Sequence, residues 1–510
     1  MADRYWVNRS GGTGALGSGT GNWNDSNNWS ATSGGTGGAG VPTSSDNVLF
    51  DNSSAGDCTL DTTPTLVDWT MTSGYSGATL GLGIYTVTCT GDVSIASNDD
   101  LLDAGSSTVD MAGSSTQTLG NPNLSNAFYN LDISQDVDLD DDVYVHDGVL
   151  TIDSGHVLDL HAVSGTGHDV HLRGSGNVLV LNGWFNASNG SNLGTVYFEL
   201  DVDDTVLNVP GGTGFGSNGS YTAAALRCRL VGAITGTFSL QGDIANVDNL
   251  AVWGDSSSGD PTFNTNDYDI TTYSFMLWGD SETSSDAPLT CNFGSSSITC
   301  PLFVRWVSNN GATYNLQTST WSVSQWSPYP TGTGAVTVAP TFNVGASSVT
   351  VTDSVGENWQ NDDDFIKFYD LTFSPSGASS TGDVKFSVEN TITFAAGKSH
   401  DLQRQVTGGS LEGDASTGDI GLTLSASFPY EFSGMDFTGT DPYEVSVSSD
   451  TPGTPWSGTM TGYGRVDHTA VSDSEVVGEE IDALDPSNTD GGNNGPSWVF
   501  DDNQQAIVIS

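Results

Sequence analysis

The sequence predicts an all-β chain built from parallel β-solenoid (β-helix) segments, with an additional β domain in the middle. Three observations predict it. Short runs that alternate apolar and polar residues recur, as in NVLVLNG from 177, TVYFELDV from 195, AVTVAPTFNV from 335 and DVKFSVENTITF from 383, each bounded by Gly, Asn, Asp or Ser. Strands this short with turn signals this regular indicate sandwiches, barrels or solenoids. Gly occurs 64 times, whereas the strong helix formers Lys, Arg, Glu, Gln and Met are sparse, so helices are disfavoured on propensity. Finally, a longer unit repeats. AFYNLDISQDVDLDDDVYVHDGVLTIDSGHVLDL from 127 and KFYDLTFSPSGASSTGDVKFSVENTITFAAGKSHDL from 367 share an aromatic-Asn/Asp-Leu start, a polar stretch, an Asp-Val and a closing strand. Stacking such units buries a core that one unit cannot bury alone.

Taken in order, residues 1–55 form a Gly-rich capping or attachment module, in which Trp6, Trp23 and Trp29 cover the open end of the first coil. An uncovered end would expose apolar surface and unpaired strand edges. Residues 56–200 form a solenoid segment, with ATLGLGIYTVTCTGDVSI from 78 carrying the same cadence. Residues 201–345 depart from the repeat, carry Pro, Trp and Cys, and read as a β domain or as distorted coils with aromatic-rich loops. Residues 346–470 form a second solenoid-like segment, and 471–510 an acidic C-terminal segment whose DSEVVGEEIDAL is the best helix candidate in the chain.

The opening carries Tyr5-Trp6-Val7, Asn22-Trp23-Asn24-Asp25, Trp29-Ser30 and the stretch from Val41 to Asp51. It resembles the N-terminal module that precedes a parallel β-solenoid in phage and bacterial surface proteins. The aromatic-Asn/Asp-Leu units resemble the coils of those solenoids, so the likeness covers about residues 1–200 and 345–440. The family is structural. The resemblance implies a virion protein of a tailed virus: a tail fibre, spike or capsid-surface (turret) protein that contributes to host attachment. Its partners would be other virion proteins and a host cell-surface glycan or glycoprotein, and it would assemble as a homo-oligomer, a trimer or, at a capsid vertex, a pentamer. A cellular adhesin or surface-layer component is the first alternative, and a glycan depolymerase on a β-helix the second.

Charge narrows the classes further. The 62 Asp and Glu against 11 Lys and Arg give a net charge of −51. Nucleic-acid binding is excluded as an expectation, because it needs Lys and Arg to replace condensed counterions. Disorder is countered by 36% hydrophobic residues with 13 Trp, 15 Tyr and 20 Phe. A surface so rich in short carboxylates suits a halophilic host, where salt shortens the screening length to ~3 Å and relieves like-charge repulsion. No signal peptide opens the chain and no run reaches the ~18 apolar residues of a membrane span. Localisation in a virion, assembled in the host cytoplasm and then released, is therefore expected, without membrane insertion.

No catalytic constellation stands out. Pairs such as Asp203-Asp204 and Asp362-Asp363-Asp364 carry little information in so acidic a chain, and Arg173, Arg227, Arg229, Arg305, Arg404 and Arg465 look scattered. The expectation is a non-enzyme without a cofactor, unless turn carboxylates at Asp485 and Asp490 hold calcium or magnesium, hard cations that want several oxygens. Five of the 7 histidines fall close together, at His146, His156, His161, His168 and His171. Imidazoles on adjacent coils could bind zinc or nickel, but His168 and His171, three apart, are expected on opposite faces of a strand. The 5 cysteines read first as buried free thiols acting as small hydrophobes; Cys58, Cys89, Cys291 and Cys300 are the candidates for disulfides, with Cys291 and Cys300 facing each other across a hairpin. The aromatic span from Phe303 carries Trp306, Tyr314, Trp321, Trp326 and Tyr329 among Asn, Gln and Ser. Aromatics of a local β core are the first reading of this span; as a recognition surface, the second, these residues are the candidates, since Trp and Tyr supply large amphipathic contact area.

Overall fold

The computed structural model describes all residues except 10–18, 76, 99–100, 122, 161–166, 188–193, 201–205, 213, 216–223, 231–235, 255–260, 280–288, 308–311, 329–339, 356–365, 378, 383–384 and 501–510. The described residues are all-β, with helical structure confined to the single 3₁₀ turns Ser26–Asn28 and Leu124–Asn126. The chain forms two compact units, Met1–Trp253 and Gly254–Ser510. Each is a parallel β-solenoid.

In the first unit the chain winds past three faces. Cys58–Thr59, Thr65–Leu66 and Trp69–Met71 make one coil, and Leu80–Gly81, Thr86–Cys89 and Val93–Ile95 stack on them in parallel. Thr108 pairs with Thr86 below and Asn130 above, an advance of 22 residues per coil. Since strand side chains alternate faces, this register places one inward residue directly over the next. Leu66, Cys89, Met111, Ile133 and Ile152 form such a buried column. The N-terminal module joins the same stack, because Ala2–Trp6 pairs in parallel with Asp46–Phe50, which pairs in turn with Trp69–Met71. Trp6, Trp23 and Trp29 are fully buried, with ring centroids 5.3 and 4.6 Å apart along the cluster, and they close over Phe50.

The second unit repeats the plan. Ile270, Ile298, Trp321, Val349, Leu371, Ile392, Leu411 and Met435 follow one another in register, each buried. The middle region therefore takes the coil form and not that of an inserted β domain: its described strands are coil strands in parallel pairing. A repeat centred on Asn explains how. Thr262–Asn264, Thr290–Asn292, Thr313–Asn315 and Thr341–Asn343 stack on one face, each followed by a turn and a strand of the next face. Two residues after each Asn, the turn requires a left-handed backbone, supplied by Asn266 (φ 52), Gly294 (φ 54), Gln317 (φ 53) and Gly345 (φ 57). At Gly345 a Cβ would lie 2.4 Å from the carbonyl oxygen of Gln317, so the coils' close approach adds to the demand for Gly.

The best helix candidate of the sequence, near 473, is not helical. Ser474–Gly478 and Ile481–Ala483 are strands that pair in parallel with Trp456–Met460 and Gly464–Asp467. The register of the stack overrides the weak helical propensity of that segment, and Val476 and Ile481 are buried as inward residues.

Candidate functional site

In the first unit, Val143–His146, Val170–Arg173, Thr195–Leu200 and Ala225–Leu230 pair in parallel. Val145, Leu172, Phe198 and Cys228 lie in register and are buried. Alternation puts the residues between them on the other face. One row there is Tyr144, His171, Tyr197 and Arg227; the next is His146, Arg173, Glu199 and Arg229. The middle of this face is buried: His171, Arg173 and Tyr197 are 7, 8 and 8% exposed and Glu199 0%.

Coil spacing accounts for the ring geometry. Parallel strands lie ~4.8 Å apart, a good separation for flat rings one above another. His171 is stacked on Tyr144 at 4.4 Å and 7° and on Tyr197 at 4.7 Å and 4°. The Arg229 guanidinium sits 4.4 Å over the Tyr197 ring, and Arg227 donates to the Tyr197 hydroxyl at 2.9 Å.

Glu199 is the hub. His171 Nδ1 lies 3.0 Å from Oε1; Arg173 reaches Oε2 through Nε at 3.2 Å and Nη2 at 3.1 Å; Arg229 Nε donates to Oε1 at 2.7 Å. Burial alone would raise the carboxyl's pKa, but the His171 hydrogen bond and the Arg229, His171 and Arg173 charges hold it down at about 2. A fully buried carboxylate is tolerated because it is paired on several sides.

At the N-terminal edge of the same strands, the carboxylates form a ladder. Asp142 Oδ1 accepts from the Asp169 backbone N–H and Asp169 Oδ1 from that of Thr195, both at 2.9 Å. Ligand atoms of Asp142, Asp169 and His171 lie within 4.8 Å of one another, and so do those of Asp141, Asp142 and His168. Burial, and then the neighbouring Asp142, push the Asp169 carboxyl above the usual range. Such a constellation of two imidazoles and three carboxylates can hold a cation or relay a proton.

His168 and His171 are not on opposite faces of one strand, because His168 precedes the strand Val170–Arg173 and alternation does not extend to it. His161 lies outside the described residues, while His146 and His156 lie 3.7 and 3.3 Å from Asp147 and Asp136. Arg173 and Arg229, which look scattered along the chain, meet at Glu199 from coils on either side of it. Glu199 itself was missed. The signal was its spacing of 26 residues from Arg173 and 30 from Arg229, about one coil each way.

The expected recognition aromatics are placed differently. Tyr314 and Trp326 are 0% exposed and Trp321 2%. Trp321 stacks on Phe275 and meets Trp326 edge-on at 5.1 Å, so these residues are core and not recognition surface. Trp306 lies on the strand Ser297–Val307, and Tyr329 lies outside the described residues.

Asp485 accepts from the Ser487 backbone N–H at 2.9 Å, and Asp490 from that of Gly492 and from Asn494 Nδ2, both at 2.8 Å. These carboxylates tie turns, and neither belongs to a three-residue metal-ligating group among the described residues. Cys58, Cys89, Cys228, Cys291 and Cys300 are all free and buried. Cys291 and Cys300 do not flank a hairpin, because Thr290–Asn292 and Ser297–Val307 belong to different parallel faces. Cys58 and Cys89 likewise stand on different faces. No family model, curated protein or solved structure matches the chain.

Proposed function

We propose that this chain is a structural protein of a virion surface, a tail fibre, spike or capsid-surface component of a tailed virus, and that it serves as a rigid acidic scaffold in host attachment. The observation that carries the reading is the in-register stacking within each unit, reinforced by side chains that bond from coil to coil. Asn264, Asn292, Asn315 and Asn343 do so in the second unit, and Asn177, Asn208 and Gln241 in the first. A lattice of this kind resists bending and local opening, which suits a part that carries load and displays loops. The charge of −51 keeps such a surface soluble and self-repelling unless a partner or salt neutralises it. The tailed-virus assignment itself draws on the N-terminal resemblance.

Antibodies raised against the purified chain test the reading by immunogold microscopy of particles and cells from the source culture. Label on purified particles, at the tail or at capsid vertices, is the expected result. Label on particle-free cell surfaces, with none on particles, would replace the virion reading with that of a cellular surface protein.

A further inference from the structure

We propose that the carboxylate edge beside Glu199 is a binding site for one divalent transition-metal ion of the zinc class, ligated by Asp142, Asp169 and His171, with Asp141 and His168 at its rim. Ligand-capable atoms of the first three lie within 4.8 Å of one another. Around a zinc ion, with bonds of ~2.0–2.2 Å, the donors would draw somewhat closer. Asp142 and Asp169 each spend one oxygen, Oδ1, on a backbone N–H of the next coil, which anchors each carboxylate while leaving its second oxygen for a cation.

The support around His171 is that of a metal ligand. Its ring is fixed between Tyr144 and Tyr197. Its Nδ1 is held by Glu199 at 3.0 Å, and in the neutral tautomer that donates from Nδ1 the other ring nitrogen keeps its lone pair. A carboxylate on the far nitrogen of a ligating imidazole sets the tautomer and raises its basicity. Arg173 and Arg229 keep Glu199 ionised for that task.

His168 supplies the second, independent observation. Its side chain is 11% exposed and Nδ1 is 4.0 Å from Asp142. Its buried Nε2 has no hydrogen-bond partner among the described residues. A buried ring nitrogen without a partner is costly, and here it belongs to an imidazole grouped with Asp141 and Asp142. Two imidazoles among carboxylates favour a borderline ion over calcium, which takes six to eight oxygens. This inference stands whether or not the chain belongs to a virion.

The test uses the full chain, stripped with chelator and dialysed against Zn²⁺ in ~1 M NaCl, where screening weakens diffuse binding to surface carboxylates. One Zn²⁺ per chain is expected, not displaced by excess Ca²⁺, and Co²⁺ in its place should give the visible bands of nitrogen and oxygen ligation. Asp142→Asn keeps an oxygen for the Asp169 N–H but removes the charge; it and His171→Gln should each weaken binding by at least about tenfold. Asp485→Asn should leave binding unchanged. Far-UV circular dichroism checks each fold, and His168→Gln, at the rim, replaces any variant that does not fold. Absence of stoichiometric Zn²⁺, or wild-type affinity in the folded site variants, overturns the proposal.

Discussion

The side-chain amide of Asn315 donates from Nδ2 to Oδ1 of Asn292, one coil away, at 2.6 Å. Asn292 makes the same bond to Asn264 at 2.6 Å, and Asn343 to Asn315 at 2.7 Å. Each inner amide therefore gives one bond and takes another, whereas Asn343 is exposed and ends the described ladder. Asn315→Ala removes two bonds and leaves half-buried Asn292 without its donor on one side and exposed Asn343 without its acceptor on the other. It should cost about 1–3 kcal/mol, and Asn343→Ala less. Urea midpoints of the two variants measure this, and equal losses at the two positions would refute the ladder as the cause.

Trp326 is a core anchor of the second unit. It is 0% exposed, edge-on to Trp321 at 5.1 Å and 5.5 Å from Phe368. Trp326→Ala should lose about 3–5 kcal/mol, with the transfer and cavity terms adding. Tyr273, 52% exposed, provides the contrast: Tyr273→Ala should melt close to the wild type. Thermal unfolding of the pair decides, and a wild-type melting temperature for Trp326→Ala would count against the packing described here.

Much of the architecture was legible because coil strands obey a period of two. Val143 and Val145, or Ile392 and Phe394, show their inward face in the sequence itself. The capping tryptophans were legible for a related reason, since a solenoid's first coil needs an apolar lid. The middle region was not. Its repeat rests on one Asn and one left-handed turn residue per coil, and that turn residue varies among Asn, Gly and Gln. Aromatic content alone could not separate core from surface at Trp321 and Trp326, because a large ring inside a coil reads like a ring on a loop when spacing is ignored. The Glu199 hub stayed hidden for a physical reason: its partners come from neighbouring coils, and no local motif connects them.

The five buried thiols predict a redox-indifferent stability. Burial raises the pKa of every one of them, that of Cys300 to about 11. A buried thiol with so little thiolate is inert toward disulfide reagents. The native chain at pH 8 should not react with an aromatic disulfide reagent, and all 5 cysteines should react after denaturation. A reductant should leave the melting temperature unchanged. A fall in melting temperature with reductant would mean that a disulfide forms in the protein as purified.

Glu199 should govern the acid limb of stability in the first unit. Its carboxyl falls from an ordinary 4.5 to about 2 in the fold. A depressed folded-state value gives stability that is fully present above the unfolded value and is lost as pH falls from about 4.5 through about 2. The shift corresponds to about 3 kcal/mol for this fully buried side chain. Asp132, Asp138 and Asp169 act in the opposite sense. Burial, with neighbouring carboxylates, raises them, so stability they withhold at neutral pH returns as pH falls through their elevated range. The melting temperature should thus rise on mild acidification and then drop below about pH 4.5. Glu199→Gln removes the drop's main source and leaves Arg173 and Arg229 facing a neutral amide, at about 3–5 kcal/mol near neutrality. Melting curves from pH 7 to 2 should show the variant less stable at pH 7 but with a shallower acid limb. Parallel limbs for the two proteins would place acid sensitivity elsewhere than in this ion cluster.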